Sequence, residues 1–309
     1  MEGLAAGPHK IQTGQGLLKL HLAVFLFGLA GLFGKFTTCS ALYIVLARTA
    51  FAALALAAYI KFQSRKDHGH RPMACRPRYL AQGILLAAHW YLFFLSIQVS
   101  SVAVGLVTFS SFPLFVTFME PLWFKEALKK RDLVTAGVVF AGIVLVVPDL
   151  NFSNQVTLGA FYGILSGLTF AILALVNRDN ARHGDPVATA LFQNLFAALA
   201  LALTMGAIAI FAPGSAELRA PVMADLPALL FLGIACTALS HTLFIQSLAV
   251  IRAQTASVIT GLEPVYGIVL AFFLLGEIPT LSTLAGGALI IGATVAAGYL
   301  SKLDNAAES

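Results

Sequence analysis

What most constrains this chain is a succession of ten apolar runs, each about as long as a helix that crosses a bilayer. A hydrocarbon core about 30 Å thick takes ~20 residues of helix at 1.5 Å per residue. With that ruler the spans fall at roughly 17–35, 41–62, 79–99, 101–124, 131–148, 157–177, 186–211, 225–249, 254–275 and 279–301. In lipid every backbone polar group must find a partner within the chain, so such runs predict helices rather than an open sheet. Composition agrees: 59% of the 309 residues are hydrophobic, 11% are charged, and mean hydropathy is +0.88. That is too little charge to cover a water-soluble surface of this size. The first run is long for a signal peptide and more spans follow, so it reads as an uncleaved first helix.

The net charge is +5 and the pI about 9.2, which in a soluble chain would raise nucleic acid as a partner. Here the basic residues sit in short connections. Even-numbered connections and the two termini hold sixteen of the nineteen Lys and Arg, odd-numbered ones hold only Lys35 and Arg219, and Arg48 lies inside a span. Positive residues collect on the cytoplasmic side, so both termini are expected there and no nucleic acid is implied. The basic segment Arg65 to Arg78 reads as a cytoplasmic loop held against anionic headgroups.

The chain also repeats. Phe51 to Ala57 reads FAALALA, and so does Phe196 to Ala202. Low-complexity text of this kind recurs by chance, and a second pattern says more. Pro113 and Glu126 lie thirteen residues apart, as do Pro264 and Glu277, with 151 residues between the members of each equivalent pair. The same offset lays Ser96 on Ser247, and one residue of slippage lays Gly137 and Gly142 on Gly287 and Gly292. An odd number of spans per half turns the second copy upside down. The expected fold is therefore all-α and integral to the membrane, with ten transmembrane helices as two inverted-topology five-helix repeats. Its parts are a tail at 1–16, repeats at 17–148 and 157–301, and a tail at 302–309. Such repeats belong to secondary transporters that bind substrate near mid-membrane between the halves.

The run from Leu95-Ser-Ile through Pro113 to Glu126 and Gly142, echoed from Ser247 through Pro264 to Glu277 and Gly292, resembles the drug/metabolite transporter superfamily. Arg48-Thr-Ala-Phe is similar to the arginine-bearing second helix of its EamA-type bacterial exporters, and Glu263-Pro264 to their second-half motif. Within that family the chain is most like the aromatic amino-acid exporters. The resemblance implies export of amino acids or related metabolites across the bacterial inner membrane. Drug exporters and nucleotide-sugar carriers of the same superfamily stay open as alternatives.

An ionisable group inside a span costs at least ~2.5–3.5 kcal/mol on insertion scales, so each one needs a reason. Glu263, near mid-span and followed by Pro264, is open to three uses: a substrate amine, a proton, or a structural pairing. Arg48 lies about 10 Å inside the outer face and reads as a structural or snorkelling residue before a carboxylate ligand. Glu120 is expected at the interface. His89 and His241 sit at comparable depth in the third and eighth spans, each reading as a packing histidine ahead of a substrate contact.

Trp90, Phe93 and Tyr266 would suit a flat apolar ligand. Ser96 follows His89 and Phe93 on one helix face, and Thr108 and Ser111 share another. These nine residues, from His89 through Tyr266 and including Glu263, are the candidate substrate contacts, facing one another across spans 3, 4, 8 and 9. Arg48, Pro113, Glu126, Pro264 and Glu277 are the structural or gating candidates. The prolines would kink or hinge their spans, and the glutamates would complement the dipoles of the helices that follow them. The Gly159, Gly163, Gly167 ladder reads as close helix contact.

No metal or cofactor is implied. Cys39, Cys75 and Cys236 lack metal-like spacing, and no GxSxG or HExxH string supports an intramembrane enzyme. A channel would call for a filter or a ring of like charges. No Walker A motif is present, so energy would come from a proton or counter-substrate gradient. The implied partners are a small-molecule substrate and the bilayer, while the oligomeric state is not encoded.

Overall fold

The computed structural model describes residues 8–66, 77–124, 130–147, 149–181, 185–248 and 259–307. Glu126 and Cys75 lie outside them. Among the described residues there is no strand. The helices are α1 Pro8–Phe36, α2 Ala41–Lys66, α3 Arg78–Val99, α4 Val102–Phe109, α5 Phe112–Phe124, α6 Lys130–Val146, α7 Gln155–Ala181 and α8 Pro186–Phe211. After them come α9 Leu226–Gly233, a π-helical turn Ile234–Leu239, α10 Ser240–Leu248, α11 Glu263–Leu275 and α12 Leu281–Ala307. Seven segments are long and apolar enough to cross a membrane, with Val102–Met119 and Met223–Ser247 each running through a break or a π turn. Three shorter apolar helices, Leu133–Val146, Glu263–Leu275 and Leu281–Ala296, fall where spans 5, 9 and 10 are predicted.

The two prolines do not kink continuous helices. The fourth span stops at Ser110-Ser111, and α11 begins after a turn at Gly261-Leu262. The Ser111 N–H donates to the Thr108 carbonyl at 3.1 Å, and the Leu262 N–H to the Ile259 carbonyl at 3.0 Å. These are the same tightened turn at positions 151 residues apart. Pro113 and Pro264 are then the second residues of new helices, where an N–H would have no helical acceptor.

Contacts between the halves repeat as well. Helix α7 lies against α3, α4 and α5, and α1 lies against α10, the π turn and α11. Helix α8 crosses α3, while α2 crosses α9 and the π turn. At these crossings a Cβ on Gly83 would meet Phe196 Cβ and the Gln193 carbonyl, and one on Gly233 would meet Phe51 Cβ and the Arg48 carbonyl. The FAALALA echo therefore marks two equivalent backbone-to-backbone crossings.

The odd-numbered connections of the predicted spans lie together at one end. Thr38 donates from N and Oγ1 to the Asp225 carboxylate at 3.0 and 2.8 Å, and the Ser40 N–H donates to the Arg219 carbonyl at 3.0 Å. Lys35 Nζ donates to the Ser100 carbonyl at 2.9 Å, and Val102 N–H to Glu277 Oε2 at 2.9 Å. A Cβ on Gly159, early in α7, would run into the Ser100 side chain. So α1 ends where α7 begins, and equivalent spans run in opposite directions. Large apolar side chains such as Leu203 (76% exposed) and Phe273 (76% exposed) cover the outside, as a lipid-facing surface requires.

Candidate functional site

The site is built around Arg48, which is 2% exposed. Its guanidinium carbon sits 3.7 Å over the Trp90 ring and 5.4 Å from that of Phe94. Cation–π contact is strongest where water is excluded, as here. Its Nε donates to Thr237 Oγ1 at 3.1 Å, and that hydroxyl donates to the Leu232 carbonyl at 2.7 Å. Thr237 lies in the π turn of the eighth span, the kind of local widening that often accompanies functional positions. The turn directs a hydroxyl at α2, and the arginine faces inward instead of snorkelling to the surface.

Arg48 is within electrostatic reach of Glu263 without forming an ion pair with it. Glu263 is the first residue of α11, buried, and brought in by the break before it. Among the described residues its carboxylate accepts no hydrogen bond. Gly28 permits the close approach of α1 at this point: a Cβ there would meet the Glu263 carbonyl at 2.7 Å. His241 turns an edge to Trp90, with ring centroids 6.3 Å apart, and its buried Nδ1 has no partner. A fixed cation from one half and a carboxylate from the other thus share one apolar, aromatic-walled place, and neither carries a tight counter-ion among the described residues.

His89 looks the other way. Its Nδ1 lies 2.8 Å from Ser166 Oγ and 3.2 Å from the Ser166 carbonyl, while Ser166 Oγ donates to the His89 carbonyl at 3.0 Å. The serine proton is used on that carbonyl, so Nδ1 is the donor to Ser166. Its ring is caged by Phe109 and Phe170, at 5.1 and 4.9 Å. Phe93 joins this aromatic cluster through Phe109 at 5.6 Å.

Ser96, Thr108 and Ser111 are each 0% exposed and lie on the glycine stripe of α7. Ser96 Oγ donates to the Gly159 carbonyl at 2.6 Å, a Cβ on Gly163 would overlap the Thr108 hydroxyl, and one on Gly167 would meet Ser111 Oγ at 3.1 Å. Small residues let the backbones approach, as the ladder in α7 predicts. Tyr266 packs edge-on to Phe25 of α1 at 5.7 Å. Of the nine candidate contacts, Trp90 touches Arg48, His241 touches Trp90, and Glu263 lies within electrostatic reach of Arg48. His89 is linked to it only through the Trp90 ring, 6.4 Å away between centroids, and the other five pack between helices.

Glu277 does not serve the helix that follows it. Thr280 already caps α12, accepting from the Thr283 N–H at 3.2 Å. Gly276, in the left-handed region at φ 67°, turns the chain so that Glu277 reaches the start of α4 instead. Sequence reasoning missed Thr237, Asp225 and the carboxamides Gln82, Asn177 and Gln193. The offset of the FAALALA echo could have found Gln193, since it places that residue on Arg48.

The EamA-like transporter family model matches this chain twice, over residues 14–147 and 157–299. An "uncharacterized transporter" of Archaeoglobus fulgidus is 25% identical over 202 residues, 65% of this chain and 69% of that one. An S-adenosylmethionine uptake transporter of Rickettsia bellii is 25% identical over 225 residues, 72% of this chain and 73% of that one. A solved crystal structure superposes at a TM-score of 0.63 with 18% identity, covering 93% of this chain and 98% of that one, and supports the fold alone. Two successive family matches, on a helical frame whose halves repeat their breaks and crossings, establish that this multi-pass membrane protein belongs to the EamA-like transporter family.

Proposed function

We propose that the protein crosses a bacterial inner membrane ten times with both termini in the cytoplasm, and exports amino acids, aromatic ones favoured, by alternating access. Residues 17–148 and 157–301 form the two five-span halves, and substrate binds between them. The observation that carries this reading is Arg48 of the first half, stacked on Trp90 with no ion-pair partner among the described residues, within electrostatic reach of the buried Glu263 of the second. An unpaired buried charge is costly, and two of opposite sign held apart suit a ligand that brings both complements. A zwitterionic amino-acid head does so: its carboxylate answers the guanidinium fork and its ammonium the Glu263 carboxylate. Trp90, with a face already used by a cation, offers stacking for a flat side chain.

A second reading is uptake of an amino-acid-bearing metabolite. The named Rickettsia relative favours it, because S-adenosylmethionine carries the same head group.

The test is reconstitution into liposomes with a panel of radiolabelled amino acids and S-adenosylmethionine, with and without a proton gradient. Amino-acid flux that falls at least tenfold in Arg48→Lys and Glu263→Gln is expected, from losing ~1.4 kcal/mol or more of a charge-assisted contact. Flux of neither an amino acid nor S-adenosylmethionine, alongside flux of a drug or nucleotide sugar, would overturn the substrate class.

A further inference from the structure

The connection between α8 and α9, residues 212–225, carries two 3-10 turns, Ala216–Leu218 and Met223–Asp225. It belongs to the second half of the chain but is bonded to the first. The Ser40 N–H donates to the Arg219 carbonyl at 3.0 Å and the Ser40 hydroxyl to the Glu217 carbonyl at 2.7 Å. The Asp225 carboxylate takes both donors of Thr38, at 3.0 and 2.8 Å. These bonds pin the start of α2 to the start of α9. Eight residues on from Ser40 stands Arg48, and twelve on from Asp225 stands Thr237. Those two bond to each other at 3.1 Å, so the connection ties the two elements together about 12 Å further along α2, on the odd-numbered side of the site.

The tie is shallow. Of residues 212–225 only Asp225 is buried, and Met223 is 84% exposed. Little apolar surface therefore holds the segment down, as in elements that open locally. Its bonds to Thr38 and Ser40 are only partly buried, so water can replace them when they break. The closed position also carries a penalty of its own. Glu217 lies within electrostatic reach of Tyr91, the neighbour of Trp90 on α3, and buries one carboxylate oxygen without a donor. An acceptor left unmet weighs against the state that buries it.

We propose that residues 212–225 are a reversible latch, whose bonds from Ser40 and Thr38 hold the odd-numbered end shut over Arg48 and whose release opens it. The proposal rests on the alternating-access reading, in which each end must open in turn. A permanent tie would be expected to bury apolar contact and satisfy its polar groups. This one does neither.

The test needs no substrate. Native Cys236 is the reporter, since it precedes Thr237 in the π turn and is 0% exposed. In a parent lacking Cys39 and Cys75, membrane vesicles of both orientations are treated with a charged methanethiosulfonate that does not cross the bilayer. Mass spectrometry follows modification of Cys236. The parent should react slowly from the odd-numbered side. Asp225→Ala and Ser40→Ala should each react about fivefold faster from that side alone, the factor that ~1 kcal/mol of lost hydrogen bonding gives. Asp149→Ala removes bonds made within another connection at the same end and should match the parent. Unchanged rates in both latch variants overturn the proposal. So does a gain from both sides, or an equal gain in Asp149→Ala. Should Asp225→Ala not fold, Ser40→Ala decides alone. A one-sided gain without flux of any substrate would keep the latch and remove the transport reading. A one-sided gain in inverted vesicles would overturn the cytoplasmic termini and not the latch.

Discussion

The Val102 N–H donates to Glu277 Oε2 at 2.9 Å, tying the first residue of α4 to the connection that leaves α11 in the other half. Ser101 Oγ accepts from the Val104 N–H at 3.1 Å on the same turn, so two groups satisfy the start of one helix. A carboxylate there also opposes the positive end of the helix dipole. Glu277→Ala should lower stability by about 1 kcal/mol, with Glu277→Gln recovering part of that. Thermal melting of the purified protein checks it, and an unchanged Tm in the alanine variant would show the contact to be idle.

The glycine crossings predict a contrast between positions. A Cβ on Gly83 would lie 2.9 Å from the Ala197 nitrogen, and one on Gly233 would lie 3.1 Å from the Arg48 carbonyl, both backbone atoms that cannot swing aside. Gly206, inside α8, has nothing within 4 Å of its would-be Cβ. Gly83→Ala and Gly233→Ala should each cost about 1–3 kcal/mol. Gly206→Ala should add about 0.5–1 kcal/mol through helix propensity. Equal effects at all three positions would contradict the crossing geometry.

Thr237 should matter through Arg48. Thr237→Val keeps the shape and removes the acceptor for Nε, leaving a buried guanidinium less satisfied, at a cost of about 1–3 kcal/mol. Thr237→Ser should restore it. If the transported substrate carries a carboxylate, its apparent affinity should fall in the valine variant and return in the serine one. A valine variant matching wild type in both stability and affinity would remove Thr237 from the site.

Cys39, in the connection between α1 and α2, offers a pH test. Burial raises its thiol above the ordinary range, and the nearby Asp225 charge adds to this against a hydrogen bond from Thr37 that lowers it. A raised folded value favours the protonated form, so this contribution to stability is present below the ordinary thiol pKa and is lost as pH rises through the folded value. In a background lacking the other two cysteines, maleimide should label Cys39 more slowly in the folded protein than in urea at the same mildly alkaline pH. Equal rates would mean that the thiol is not shielded.

Much of this fold could be read from the chain itself. The apolar runs place α2, α3, α7 and α8 within a few residues of their observed ends, because the bilayer sets a length and forces helical hydrogen bonding on whatever crosses it. The paired Pro–Glu spacing located the two breaks, although it did not reveal that each proline begins a new helix. What α4 presents to α7 was beyond the reach of pattern. In lipid an inward and an outward apolar face look alike, since no hydrophobic force distinguishes a neighbouring helix from an acyl chain.

The sequence by itself therefore determined the number of apolar runs, the repeat and the short list of buried charges. Only the tertiary structure decided that Ser96, Thr108 and Ser111 rest on the glycines of α7, that Arg48 turns inward to Thr237 and shares its surroundings with Glu263, and that Glu277 serves α4. Those partners are far apart in sequence, Arg48 and Thr237 by 189 residues. Helical periodicity tells which residues share a face, and only the crossing of two helices tells what that face meets.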